Sequence, residues 1–114
     1  MTIQREERPW GYYEILTTDN MTQIKKIVVH EMQQLSLQTH EQRDEYWFCS
    51  SGTGLVTIDD AEVSFTAGET LQILRGEKHR VKSLSGDLTF YEVQVGSYLG
   101  EDDIVRYEDN YGRA

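Results

Sequence analysis

The chain has 114 residues, one domain's length, which excludes two catalytic domains or a long allosteric relay. Hydrophobic residues are 38% and charged residues 27%, with one Pro and nine Gly, a composition that excludes disordered, collagenous and low-complexity chains. Eleven Lys and Arg against twenty Asp and Glu give a formal charge of -9, the wrong sign for gripping phosphate backbones or anionic lipid, so neither nucleic acid nor a membrane is expected as partner.

Short β-rich runs follow one another along the chain: Tyr12 to Leu16, Ile24 to Val29, Leu35 to His40, Glu45 to Ser50, Leu55 to Ile58, Glu62 to Phe65, Leu71 to Leu74, His79 to Lys82 and Leu88 to Val95. Turn residues separate them at SSGTG (50 to 54), DDAE (59 to 62), AGE (67 to 69), RGEK (75 to 78) and LSGD (84 to 87). This rhythm predicts an all-β closed barrel or sandwich. Only the acidic tail from Glu101 to Tyr107, where Ile104 and Tyr107 would share a face, reads as a candidate helix. Cys49 is the single cysteine and is expected to be a small buried hydrophobe. The start MTIQREERPW lacks a basic region followed by an apolar stretch, and no apolar run reaches the roughly 18 residues of a membrane span, so a cytoplasmic protein is expected.

Alternation within the runs separates their faces. Ser36, Gln38 and His40 share one side, and Glu45 travels with Trp47 and Cys49 while Tyr46, Phe48 and Ser50 face the other way. A carboxylate in such company needs a partner. Gln38 and His40, two apart on a strand, place their side chains roughly 6 to 7 Å apart at the backbone and can converge on one ion. Glu45 follows five residues later, then Gly52; a second glycine-bearing stretch runs through Gly68 and Gly76 to His79. Singly, His40 and His79 read as ordinary surface or satisfied histidines; jointly with Glu45 they read as a site. His30 lacks such context and is expected to be structural.

This spacing resembles the two motifs of the cupin superfamily, one supplying two His and a Glu and ending in Gly, the other a Gly, a Pro-x-Gly turn and a His. Gln38 stands at the first His position, Met32 where the first motif usually begins with Gly, Leu74 where the second has Pro and Ser83 where it has Asn. Arg8-Pro9-Trp10-Gly11, LSLQTHEQRDEYW from 35 to 47 and GSYLGEDDIVRYEDNYGR from 96 to 113 further resemble the type II mannose-6-phosphate isomerase domain, often the C-terminal part of bifunctional mannose-1-phosphate guanylyltransferases. The similarity spans residues 8 to 113 and implies a single cupin domain over 1 to 114: a double-stranded β-helix, or jelly-roll barrel, with a short tail. The length leaves no room for a nucleotidyltransferase, so a free-standing isomerase half is expected.

The resemblance implies one divalent metal ion held by Gln38, His40, Glu45 and His79. Zinc stands first, with Mn, Fe, Co or Ni left open by a mixed N and O ligand set. It also implies interconversion of mannose 6-phosphate and fructose 6-phosphate in mannose or polysaccharide-precursor metabolism, and a homodimer. Such chemistry removes a proton beside a carbonyl and passes through an enediolate, so it needs a base and positive charge near the oxygens. Arg43, Arg80, Arg8 and Arg106 are the candidates for the phosphate, ahead of Lys25 and Lys26; Glu101, Asp102 and Asp103 are candidate bases if the tail folds over the barrel mouth. The family pattern has His where this chain has Glu41, Gln42 and Tyr46, which predicts that metal binding outlasts catalysis. The alternatives are a non-catalytic cupin that holds a metal and a phosphosugar, and a sugar-nucleotide epimerase or ketoisomerase.

Overall fold

The computed structural model describes residues 4–109. Every regular element in that span is a strand: β1 (Gln4–Arg8), β2 (Gly11–Thr18), β3 (Thr22–Val29), β4 (Leu37–Thr39), β5 (Arg43–Ile58), β6 (Ala61–Thr66), β7 (Thr70–Ile73), β8 (His79–Gly96) and β9 (Val105–Glu108). All pairings are antiparallel, in the order β1-β2-β3-β8-β4-β9, and β5 pairs β8 on one side and β6 and β7 on the other. The expected all-β barrel is therefore present, with three differences from the sequence reading.

First, SSGTG and LSGD are not turns between separate strands. They face each other inside β5 and β8, where the register shifts between Cys49 and Gly54 and Gly52 and Gly86 adopt φ of 90° and 65°. Glycine bulges bend a strand without ending its pairing, so one long strand serves both halves of the barrel. Second, β1 is a charged edge strand without an apolar alternation to announce it. Third, the tail is not helical: a turn at 101–102 leads into β9, which pairs with β4. The backbone of the three-residue β4 needs partners on both edges, and the tail supplies the second. The strand expected from Leu35 to His40 shrinks to Leu37–Thr39: on one flank the pairing is reduced to the isolated Gln34–Lys82 bridge, and on the other the His40 carbonyl accepts from the Gly76 N–H at 2.9 Å.

The interior rows explain where a site can form. Gln23, Lys25, Ile27 and Val29 on β3, Leu88, Phe90, Glu92 and Gln94 on β8, and Arg43, Glu45, Trp47 and Cys49 on β5 all point inward and are buried. Each row is polar at one end and apolar at the other. Register puts like with like: Ile27 and Cys49 flank Phe90, whereas Gln23 and Glu45 flank Gln94. One end of the barrel becomes an aromatic core, with Trp47 and Phe90 centroids 4.7 Å apart and Phe65 5.8 Å from Phe90. The other end is a buried polar chamber.

Cys49 is fully buried, as expected, while His30 is exposed, with Nδ1 3.4 Å from Asp87. Met32 has φ 64°, and its N–H donates to the Ser83 carbonyl at 2.9 Å. The left-handed region costs a residue with a Cβ roughly 1–2 kcal/mol, whereas Gly loses an extra 0.5–1 kcal/mol of chain entropy on folding. Met32→Gly is therefore expected to stabilise the fold by about 0.5–1 kcal/mol in urea unfolding, since the exposed Met side chain gives up little packing.

Candidate functional site

The turn after β4 and the start of β5 bring His40 and Glu45 to the polar end of the barrel, and β8 begins with His79 directly across from Gln38. His40, Glu45 and His79 are all buried and offer ligand atoms within 4.8 Å of one another. The two imidazole centroids are 5.1 Å apart. Gln38, as the cross-strand partner of His79, shares its face, with Cβ atoms of such pairs about 4.5–5.5 Å apart. Its Oε1 accepts from Ser36 Oγ at 3.2 Å.

Both imidazoles are set in one tautomer by their outer contacts. His40 Nδ1 lies 2.6 Å from the Asp103 carbonyl and His79 Nδ1 lies 2.9 Å from the Glu77 carbonyl. A carbonyl only accepts, so each Nδ1 carries the proton and each Nε2 turns a lone pair inward. His79 Nε2 is buried with no hydrogen-bond partner among the described residues. An orphaned buried acceptor costs about 1–3 kcal/mol, and a cation would satisfy it. Two neutral imidazole nitrogens and a carboxylate form a donor set suited to a divalent ion, so these residues fit one, with the Gln38 amide on the adjoining cavity wall.

Glu45 is tied on both oxygens. Trp47 Nε1 donates to Oε1 at 2.9 Å, Arg43 Nε donates to Oε2 at 2.8 Å, and His40 Nε2 lies 3.4 Å from Oε2. Burial pushes its carboxyl up, but His40, Arg43, His79 and the Trp47 indole outweigh that and hold it down at about 2. Burial lowers His40 to about 4 against the pull of Glu45. Because His40 is then neutral near pH 7, Arg43 is the charge that keeps Glu45 ionised. Arg43 Nη2 also donates to His40 Nε2 at 3.3 Å.

A cavity of about 120 Å³ opens beside this cluster, lined by Gln38, His40 and Arg43 together with Arg8, Lys25, Glu92, Glu101 and Arg106. Arg43 Nη1 and Arg106 Nε are buried without a hydrogen-bond partner among the described residues, so two guanidinium groups lining the cavity have donors to spare. Arg8 reaches Tyr13 Oη at 3.3 Å. The remaining candidates lie differently. Arg80 spends its guanidinium on the Leu35 carbonyl and Glu108 and does not line the cavity. Of the three tail acids only Glu101 reaches the cavity, where it pairs with Lys25 at 2.6 Å. Asp102 accepts a hydrogen bond from Tyr98 Oη, and Asp103 is buried, with its carboxylate accepting the Glu41 and Gln42 N–H groups at 3.0 Å each. Asp103 thus braces the His40 turn. Glu41, Gln42 and Tyr46 are exposed and outside the cavity, Tyr46 on the outer face of β5 beside Phe48 and Tyr91.

Glu92 was absent from the sequence reading, and Lys25 entered it only as a lesser phosphate candidate. Both are buried, cross-strand partners. Their signal was available: each is a charged residue in the inward phase of a strand, between Gln23 and Ile27 in one case and Phe90 and Gln94 in the other.

Residues 2–109 match the family model described as mannose-6-phosphate isomerase C-terminal. The chain is 46% identical over 107 residues to xanthan biosynthesis protein XanB of Xanthomonas campestris pv. campestris, covering 93% of this chain and 23% of that protein. It is 44% identical over 107 residues to alginate biosynthesis protein AlgA of Pseudomonas aeruginosa, covering 93% and 22%. It thus spans less than a quarter of the length of these curated relatives. Among solved structures, a conserved Klebsiella pneumoniae protein with a double-stranded β-helix domain superposes with TM-score 0.74 at 15% identity, covering 84% of this chain and 83% of that one. The fold is the cupin double-stranded β-helix.

Proposed function

We propose, from the premise that the chain belongs to the mannose-6-phosphate isomerase C-terminal family, that it binds one divalent metal ion and interconverts an aldose phosphate and a ketose phosphate of the mannose 6-phosphate and fructose 6-phosphate type. The observation that carries this reading is the buried His40, Glu45 and His79 triad at a cavity lined by guanidinium groups with unpartnered donors. The names of the relatives, xanthan and alginate biosynthesis proteins, support a place in polysaccharide-precursor metabolism. When bound by Gln38, His40, Glu45 and His79, a divalent ion supplies positive charge that polarises the sugar oxygens. Arg43 keeps Glu45 ionised, and Trp47 fixes the orientation of its carboxylate. The Asp103 and Glu77 carbonyls hold both imidazoles in the tautomer that presents Nε2. Arg106 and Arg8 meet the phosphate, a task that local donors must perform because the overall charge of -9 repels a dianion.

A coupled assay of metal-supplemented protein with mannose 6-phosphate, fructose 6-phosphate and several other hexose and pentose phosphates tests the reading. Turnover of an aldose and ketose phosphate pair supports it. Tight phosphosugar binding without turnover of any of them makes the chain a binding module instead. Arg106→Ala is expected to raise KM for the phosphate substrate roughly 10- to 100-fold with kcat little changed, since a charge-assisted hydrogen bond of about 1.5–3 kcal/mol is made equally to ground and transition states. Unchanged KM would remove Arg106 from the phosphate site.

A further inference from the structure

The reaction as read above leaves one buried carboxyl of the chamber without a task. Glu92 lies on the inward face of β8 and lines the cavity. Register sets it across from Lys25 on β3 and Trp47 on β5. The candidate metal ligand Glu45 sits opposite Gln94, so Glu92 is its diagonal neighbour, roughly 7–8 Å away at the backbone. That separation places Glu92 beside whatever occupies the metal-facing end of the cavity. The side chain is also oriented: Gln94 Nε2 donates to Glu92 Oε1 at 2.9 Å, and Gln23 Nε2 donates to Gln94 Oε1 at 3.1 Å, so an amide chain holds one carboxyl oxygen. The cations acting on it pair with other carboxylates, Lys25 with Glu101 at 2.6 Å and Arg43, through Nε, with Glu45 at 2.8 Å. That carboxyl is held by one neutral amide and, among the described residues, forms no ion pair, which suits a group that carries a proton.

We infer that Glu92 is a catalytic residue of the isomerisation, moving the proton between O1 and O2 of the bound sugar, with Gln94 as its positioning residue. This assignment rests on the isomerase reading. In the aldose-to-ketose direction the C2 proton passes to a base, for which Glu101 is the exposed carboxylate of the cavity. The C2–H bonding pair becomes the C1=C2 bond, the C1=O π pair moves onto O1, and O1 takes the proton of Glu92. The Glu92 carboxylate then removes the proton of the O2 hydroxyl, that O–H pair forms the C2=O bond, and the C1=C2 pair takes the proton back from the base at C1. Glu92 and the base end as they began, and no redox partner is needed.

The electrostatics suit a group that both gives and takes a proton near neutrality. Burial, reinforced by Glu45, pushes the Glu92 carboxyl up to about 8 against the opposing pull of Lys25, Arg43 and the Gln94 amide. The same shift has a sign in stability. The unfolded chain sheds this proton near the usual 4.5 while the folded chain keeps it to about 8, so between those pH values the carboxyl lowers stability as pH rises. Glu92→Gln, which has no proton to shed, escapes that penalty.

The experiment compares wild type, E92Q and E92D. In the metal-loaded proteins E92Q is expected to lower kcat about 100-fold or more, with KM and metal content within roughly twofold. E92D should restore part of kcat, and the fall in wild-type kcat as rising pH strips the Glu92 proton should be absent from the residual E92Q rate. In the metal-free proteins, melting temperature is measured between pH 5 and pH 8, and the advantage of E92Q over wild type should widen with pH. E92Q with wild-type kcat and pH profile overturns the assignment. So does a melting difference that does not change with pH, because the carboxyl then carries no proton to shuttle. A wild type without turnover on any aldose phosphate, whose melting difference nevertheless widens, overturns the isomerase reading and takes this role with it.

Discussion

His79→Ala is expected to abolish stoichiometric metal binding while the barrel stays folded. His79 heads β8 and is the cross-strand partner of Gln38, and among the described residues its Nε2 is the one imidazole nitrogen of the triad that is buried without a partner. The wild type therefore carries the desolvation penalty of that lone pair whenever the ion is missing, and the variant does not. Removing the ring takes away a ligand but strands no charge, since its other nitrogen bonds only the Glu77 carbonyl at a turn. The loss of affinity should exceed the 10- to 100-fold that follows loss of an outer-shell partner, because a direct ligand is gone. Elemental analysis after reconstitution with zinc, manganese or iron, alongside a melting curve of the metal-free protein, checks both halves. One equivalent of metal retained by the variant would show that the ion sits elsewhere.

Glu45→Ala is expected to destabilise the metal-free fold by roughly 3–5 kcal/mol, the range for breaking a buried ion pair from one side. Glu45 and Arg43 are both almost wholly buried and 2.8 Å apart. Without the carboxylate, Arg43 keeps its charge in a chamber where its Nη1 already lacks a partner among the described residues, and the Trp47 indole N–H loses its acceptor as well. For a domain of this size the change corresponds to a fall of tens of degrees in Tm. Adding Arg43→Met should recover a large part, because the orphaned charge and not the missing contact carries most of the penalty. A single variant that melts with the wild type would mean that the guanidinium finds water after the substitution.

Strand phase made much of this legible in the sequence. The inward positions of Glu45, Trp47 and Cys49 follow from alternation alone, and motif spacing groups the three residues that the structure gathers, His40, Glu45 and His79. Local pattern could not separate a turn from a bend. SSGTG and LSGD have turn chemistry, yet each lies opposite the other in a ladder that pattern does not reveal, and so they became bulges within β5 and β8. The tail differs for a related reason: a three-residue strand with an open edge draws a second partner into extended pairing, whatever the period of that segment's own apolar residues. Arg43 and Arg80 illustrate the limit for side chains. Both lie beside candidate ligands in the sequence, but Arg43 is drawn inward by Glu45 and Arg80 outward by Glu108. Only the partner decides the direction.

The pairing of Gln38 with His79, and of Glu45 with Gln94, joins residues separated by most of the middle of the chain. Such contacts close late, after the loop entropy between them has been spent, so no early hairpin contains the ligand set. An ion that binds only the assembled site has nothing to grip in a nucleus built from neighbouring strands. It would leave the refolding arm of a chevron almost unmoved and act on the unfolding arm, lengthening the lifetime of the native barrel instead of hastening its formation.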